Sequence, residues 1–270
     1  MSDLTLTGLF FYPVKSLAGI SLERAPVDAR GIRYDRHWMV VDCEGRFLSQ
    51  RELPTMTLIR TQLTTGALRL SAPGMPDLDL DLEGIREKRL LVSVWGDLIE
   101  AQFEGARASN WLTQYLGVDC RLVSMPKETT RQVDQRFAEV DDQVGFADGF
   151  PFLLISEASL VDLNSRLPEA LPMRRFRPNL VVSGCEPYAE DSWRRIRVGD
   201  TAFRVVKPCS RCAITTINPE TAEKGAEPLA TLAGYRRDGN KVYFGQNLIH
   251  DQPGELKVGM PVEVLEVDDE

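Results

Sequence analysis

The sequence predicts a mostly β chain with a few helices, an α+β fold of two intimately packed parts that meet near residue 120. Three observations predict it. Apolar and polar residues alternate through the first hundred positions, the pattern of strands with one buried face. Turn-forming pairs such as Glu44-Gly45, Pro73-Gly74 and Gly96-Asp97 separate the alternating runs. Helical periodicity is scarce and first becomes clear at Ala106.

Leu4 to Leu6, Trp38 to Val41, Leu68 to Leu70, Leu78 to Leu82 and Leu90 to Val94 read as strands of the first part. A helix follows over Ala106 to Leu116, where Ala108, Trp111, Leu112, Tyr115 and Leu116 share one face and Gly117 offers a stop. The polar stretch Pro126 to Gln143 reads as a solvated connection or a lid. A second helix starts at Ser156, an N-cap residue, turns Leu160, Leu163 and Leu167 inward and ends before Pro168. Strands resume at Leu180 to Val182, Phe203 to Val206, Val242 to Phe244 and Val262 to Val267, and Pro228 opens a short helix carrying Leu229, Leu232 and Tyr235. The run Ala213 to Ile217 is β-branched and strand-like.

Composition narrows the function. A chain of 270 residues that is 43% hydrophobic has ample material for one large or two small cores. The formal charge of -8 has the wrong sign for a partner held by phosphate neutralisation, so no nucleic-acid polymer is expected. Two distant histidines, His37 and His250, exclude a His-rich zinc site by count. Five cysteines without a regular framework point to reduced thiols and a cytoplasmic setting. With no basic leader at Met1-Ser2-Asp3 and no apolar stretch near the ~20 residues a membrane helix needs, a soluble protein without a membrane partner is expected.

Cys209-Ser210-Arg211-Cys212 is the most informative tetrapeptide. A thiol acts as nucleophile or metal ligand only as thiolate, the form that an adjacent arginine favours. A zinc knuckle would need two further ligands, and Cys43, Cys120 and Cys185 are isolated. Thioredoxin-like exchange would need a helix after the pair, where the sequence is strand-like. A pair of buried structural cysteines stays open, more readily for Cys209 than for Cys212. Lys15-Ser16, Arg36 and Arg177 sit beside turns and suit anions, lysine as a point charge and arginine through its planar fork. No G-x-G-x-x-G, G-x-x-x-x-G-K-[ST] or G-x-S-x-G motif is present.

Seven motifs occur in order: Tyr12-Pro13-Val14-Lys15-Ser16, Asp35-Arg36, Phe146-Ala147-Asp148-Gly149, Ser156-Glu157-Ala158-Ser159-Leu160, Phe176-Arg177-Pro178-Asn179, Pro208-Cys209-Ser210-Arg211-Cys212 with Thr215-Thr216, and Phe244-Gly245-Gln246-Asn247. Together they resemble the MOSC superfamily, in the branch of the mitochondrial amidoxime-reducing component and bacterial reductases of N-hydroxylated compounds. The resemblance implies a β-barrel N-terminal domain over residues 1–120 packed on a β-barrel MOSC domain over residues 121–270. It also implies a molybdenum cofactor, a metal held by the dithiolene of a pterin, with Cys212 as the protein's thiolate ligand and catalytic residue. Lys15, Ser16 and Arg36 fall on the family's anion-binding positions, and Arg177, Asn179, Ser210 and Arg211 on others that line the cofactor. Asp148 and Asn247 complete the implied set.

The implied activity is two-electron reduction of hydroxylamines, amidoximes or N-hydroxylated bases, with release of water. Some bacterial relatives carry a plant-type ferredoxin module whose C-x4-C-x2-C spacing is absent here, so a separate electron donor is expected, ferredoxin-like or a flavoprotein reductase. The alternative implied by the same superfamily is a sulfur-handling or cofactor-carrier role without reductase activity.

Overall fold

The computed structural model describes residues 4–82, 84 and 86–268, and its largest sheet joins both ends of the chain. That sheet has nine strands. Its path runs Val262–Val267, Trp193–Val198, Thr201–Ser210, Lys241–His250, Phe152–Ser156, Leu180–Ser183, Thr5–Phe11 and Ile20–Ser21, with Arg237–Asp238 paired to Lys241–His250 off the path. Neighbours are antiparallel except Phe152–Ser156 and Leu180–Ser183, which run parallel and are joined by the crossover helix Glu157–Ser165.

The remaining strands form a four-stranded sheet of Trp38–Val41, Arg121–Ser124, Asp97–Phe103 and Arg89–Val94, and two three-stranded sheets. Arg60–Thr64, Ala67–Ser71 and Leu78–Asp81 make one of these; Gly254–Lys257, Arg24–Asp28 and Gly31–Ile32 make the other. The fold is mostly β with three α-helices among the described residues, as the sequence predicts.

Pairing crosses the middle of the chain in both directions. Thr5–Phe11 lies against Leu180–Ser183, and Arg121–Ser124 lies between Trp38–Val41 and Asp97–Phe103. Lys15 and Ser16, just beyond Phe11, are thereby carried to the seam between the two halves. Trp38–Val41 is apolar at every position because it is covered on both faces. Trp38 and Val40 join the core around Leu68, Leu70 and Leu112, whereas Met39 and Val41 join that around Val92, Val94 and Phe146.

The helix Ala106–Leu116 has the predicted bounds, and Gly117 closes it in the left-handed region at φ 72°. Ser156 caps the next helix by accepting a hydrogen bond from the Ser159 N–H, with Leu163 buried beneath it. The short helix after Pro228 spans Leu229–Ala233.

One local expectation is corrected. Ala213–Thr216 is a 3-10 turn, not a strand. Its threonines explain the difference, since the Thr215 and Thr216 hydroxyls donate back to the Cys212 and Ala213 carbonyls at 3.0 and 2.8 Å, a local alternative to a ladder. The Pro126–Gln143 stretch is irregular but anchored. Arg131 is only 6% exposed and donates to the Gly145 and Ala147 carbonyls and to Asp97, while Val133 is buried beside Val144 and Ile249.

Gly245 in the last motif sits at φ +81° where a Cβ would lie 2.6 Å from the Ile155 side chain and 2.7 Å from the Leu154 carbonyl. Gly245→Ala should destabilise the chain by about 2 kcal/mol or more, through strain and overpacking together. Urea unfolding of the two proteins measures the difference.

Candidate functional site

The ten residues predicted from the sequence, from Lys15 to Asn247, all line one cleft of about 150 Å3 at the seam. Several elements far apart in the chain bring them there. Lys15 and Ser16 follow the Thr5–Phe11 strand; Arg36 precedes Trp38–Val41; Asp148 precedes Phe152–Ser156; Arg177 and Asn179 precede Leu180–Ser183; Ser210 ends Thr201–Ser210; Asn247 lies within Lys241–His250.

The floor is cationic and buried. Lys15 is 4% exposed, and its Nζ donates to the Phe146 carbonyl at 2.8 Å and to Asp148. Burial pushes the Lys15 pKa down against the opposing pull of Asp148. Burial pushes the Asp148 carboxyl up, but the Lys15 charge and hydrogen bond outweigh it and hold Asp148 well below the usual carboxylate range. Asp148 keeps 60% of its side chain in solvent, so the pair is screened on one side and tightly held on the other.

Tyr12 organises the arginines. The Arg36 and Arg177 guanidinium groups lie 4.3 and 4.2 Å from the centre of its ring, and its hydroxyl donates to the Pro178 carbonyl at 3.1 Å. Burial pushes the Tyr12 phenol up to about 12, against Arg177 and Arg36, so it stays neutral. Burial pushes Arg177 down to about 10, which leaves it charged at neutral pH. Asp35 accepts from the Tyr12 backbone N–H at 2.7 Å and pairs with Arg36. Asn179 is spent on positioning. Its Oδ1 accepts from Arg36 at 3.0 Å and from the Leu153 N–H at 3.3 Å, and its Nδ2 donates to the Phe10 carbonyl. Asn247 likewise donates to the Lys207 carbonyl at 3.2 Å.

The two cysteines differ. Cys209 is half-buried and accepts from Arg211 Nη1 at 3.0 Å. Cys212 is exposed at the start of the Ala213–Thr216 turn, with Arg51 Nη1 3.6 Å from its sulfur. Cys120 is buried, Cys185 half-buried and Cys43 exposed.

Sequence reasoning missed Arg51 and Trp95 as site residues. Arg51 lies 4.9 Å from the centre of the Trp95 ring, and the indole Nε1 donates to Asp148 at 3.0 Å. A signal was present: Trp95-Gly96 occupies a hairpin turn where both residues need positive φ, a place usually given to Asn-Gly or Asp-Gly. Among the described residues seven non-glycine residues have positive φ, and Ser16, Arg36, Trp95 and Arg177 are four of them, at 67°, 45°, 52° and 57°. Backbone strain of about 1–3 kcal/mol per residue, gathered at one cleft, marks a site whose geometry the rest of the fold holds in place.

Comparison with known proteins identifies the family. Residues 3–119 match the MOSC N-terminal β barrel domain, and residues 141–263 match the MOSC domain. Mitochondrial amidoxime-reducing component 1 of Mus musculus is 38% identical over 97% of this chain and 82% of its own length. The chain belongs to the amidoxime-reducing component family of MOSC proteins. The molybdenum cofactor sulfurase of Oryza sativa subsp. japonica is 35% identical over 91% of this chain, but only 32% of its own length is matched. Among solved structures, the YUAD protein of Bacillus subtilis covers 97% of the chain at 13% identity, with a TM-score of 0.43.

The residues present fit the molybdenum pterin that the sequence resemblance implies. Among the described residues no group of three or more His, Cys, Asp or Glu side chains could hold a bare metal ion, so a metal at Cys212 must bring other ligands with it. A sulfur-rich pterin metal does so and takes a soft thiolate well. Arg51 Nη2 and Arg211 Nε are buried without a hydrogen-bond partner, two donors suited to an anionic group.

Because Lys15 gives up its proton at lower pH than a free lysine, anion binding here should weaken as pH rises from about 7 toward the lysine range. Sulfate, a dianion throughout, is the probe. Lys15→Met should weaken sulfate binding about tenfold near neutral pH and flatten its pH dependence, as calorimetric titration will record.

Proposed function

We propose that this chain reduces N-hydroxylated compounds with a molybdenum pterin bound in the seam cleft. Hydroxylamines, amidoximes and N-hydroxylated bases are the substrates, and a separate protein, ferredoxin-like or a flavoprotein reductase, supplies the electrons. The single observation that carries the reading is one exposed thiol, Cys212, at the rim of a cleft whose floor is buried cation. The net step balances as R–NH–OH plus two electrons and two protons giving R–NH2 and water. When bound, the cofactor supplies the two-electron chemistry at the N–O bond.

The residues divide the remaining work. Cys212 Sγ is the protein's ligand to the metal. Lys15, Arg36 and Arg177 hold the anionic end of the pterin, with Ser16, Ser210 and Arg211 as further donors, while Asn179 and Asn247 keep neighbouring backbone in place. Asp148 stays ionised at neutral pH and therefore holds Lys15 instead of delivering a proton. His37 is no donor either, since burial pushes its pKa down to about 3, with Arg30, Arg86 and Lys127 adding to the shift. Protons reach the open rim from solvent. The unpaired state of all five cysteines fits a reducing, cytoplasmic compartment. Sulfur handling is the second reading, and the sulfurase relative supports it. The chain matches only a third of that protein's length, against four-fifths of the amidoxime-reducing component's, which favours reduction.

Protein purified from cofactor-replete cells should contain close to one molybdenum per chain and reduce 6-hydroxylaminopurine with a chemical electron donor. Cys212→Ser should lower that rate by about 100-fold or more, whereas Cys209→Ser should cost less than about tenfold, because Cys209 is half-buried and its sulfur already accepts from Arg211. Undiminished reduction by Cys212→Ser refutes the ligand role. Absence of molybdenum together with absence of reduction favours sulfur handling.

A further inference from the structure

A second and larger cleft, of about 750 Å3, opens at the same seam. Arg177 and Ile214 line both clefts and form the partition between them. Nothing in the reductive chemistry requires this space. Its volume lies within the range of small-molecule sites, which runs from about 300 to 1,000 Å3.

Charge in this cleft opposes the charge of the chain. Four arginines line it, Arg60, Arg174, Arg175 and Arg177, against a single carboxylate, Glu220. Glu220 is taken by Arg174 at 2.6 Å. Arg175 donates Nε to the Thr215 carbonyl at 2.7 Å, and Arg177 donates Nη1 to the Leu17 carbonyl at 2.7 Å. Such bonds orient a guanidinium group without neutralising it. Arg60 is exposed on the Arg60–Thr64 strand and makes no ion pair among the described residues. Tyr12, also in the lining, is a neutral phenol and offsets none of this charge. Arg60 and Arg175 therefore stand unbalanced in this cleft alone, with Arg177 shared with the first cleft, in a protein with a formal charge of -8.

The rest of the wall is neutral and preformed. Phe10, Ile20, Leu58 and Ile217 offer flat apolar surface, and Ser21 and Ser71 add hydroxyls. Gly19 keeps the space open: a Cβ there would lie 2.2 Å from the Tyr12 ring, so any side chain would push that ring off its arginines. Thr61 and Gln50 donate to the Ala18 and Ser16 carbonyls at 3.0 and 2.7 Å, which fixes the opposite wall. No cysteine or histidine lines the cleft.

We propose that this second cleft binds a ring-bearing phosphate monoester of mononucleotide size, independently of the chemistry at Cys212. The planar fork of arginine matches phosphate oxygens in pairs, and the apolar wall accepts the ring.

Calorimetric titration of the purified protein with adenosine 5′-monophosphate, adenosine and inorganic phosphate tests the proposal. The nucleotide should bind one to one with a Kd below about 1 mM, and adenosine and phosphate should each bind at least about tenfold more weakly. Arg60→Gln should weaken nucleotide binding about tenfold, and Ala72→Trp, which fills the cleft, should abolish it. Lys15→Met and Cys212→Ser should leave it unchanged, so the result is independent of whether the molybdenum reading holds. The proposal is overturned by failure of the nucleotide to saturate the protein, by equal binding of adenosine or phosphate, by unchanged binding in Arg60→Gln and Ala72→Trp, or by loss of binding in Lys15→Met.

Discussion

Two guanidinium groups share one buried phenol ring at the centre of this molecule, and the seam between its halves is built around them. Arg36 and Arg177 lie within 4.3 and 4.2 Å of the centre of the Tyr12 ring, and Asp35 engages Arg36 from beside it. Burying charge is costly unless each group is paired and bonded, and here Asp35 pairs with Arg36 while Arg177 is held by the Leu17 carbonyl, with no ion pair among the described residues. Lys15 and Asp148 form a further pair, but its acid is largely in solvent. The cleft floor is left with surplus positive charge, which a bound anion would relieve. Its stability and its affinity for anions are thus two sides of one electrostatic arrangement.

That arrangement depends on strands exchanged between the halves. Thr5–Phe11 belongs by sequence to the first half and by hydrogen bonding to the sheet of the second. The exchange sets Tyr12, Lys15 and Ser16 opposite Arg177 and Asn179, residues more than 150 positions away. Four site residues sit in strained positive-φ conformations, and only a well-packed surround sustains such a cluster. The continuous apolar run Trp38–Val41, buried on both faces, supplies part of that surround directly after Arg36.

Within this frame the soft and hard chemistry are separated. Sulfur stands at the exposed rim on Cys212, with Arg51 and Trp95 beside it, while the hard cations lie below and are screened from water. A ligand spanning the two would place a thiophilic metal outward and an anionic tail inward. Arg177 contributes to this cleft and to its larger neighbour, so the same stacked guanidinium group is exposed to two different spaces.

Nine of the nineteen strands among the described residues, the helix Ala106–Leu116 and the Ser156 cap were legible in the sequence, because they are decided by residues a few positions apart: apolar period, turn pairs and capping side chains. The ordered motifs likewise marked which residues belong to the cleft. The Ala213–Thr216 turn was not legible, since threonine has high strand propensity and its hydroxyl bonds to backbone only in the turn that forms. Nor were the anchoring of the polar Pro126–Gln143 stretch through Arg131, the partnership of Arg51 with Trp95, or the second cleft. Each arises from contacts between segments beyond the reach of local pattern, which carries no record of such encounters. Sequence alone determined the class of fold and the donors available; tertiary structure decided which donors face one another, because burial and distance set how charge acts.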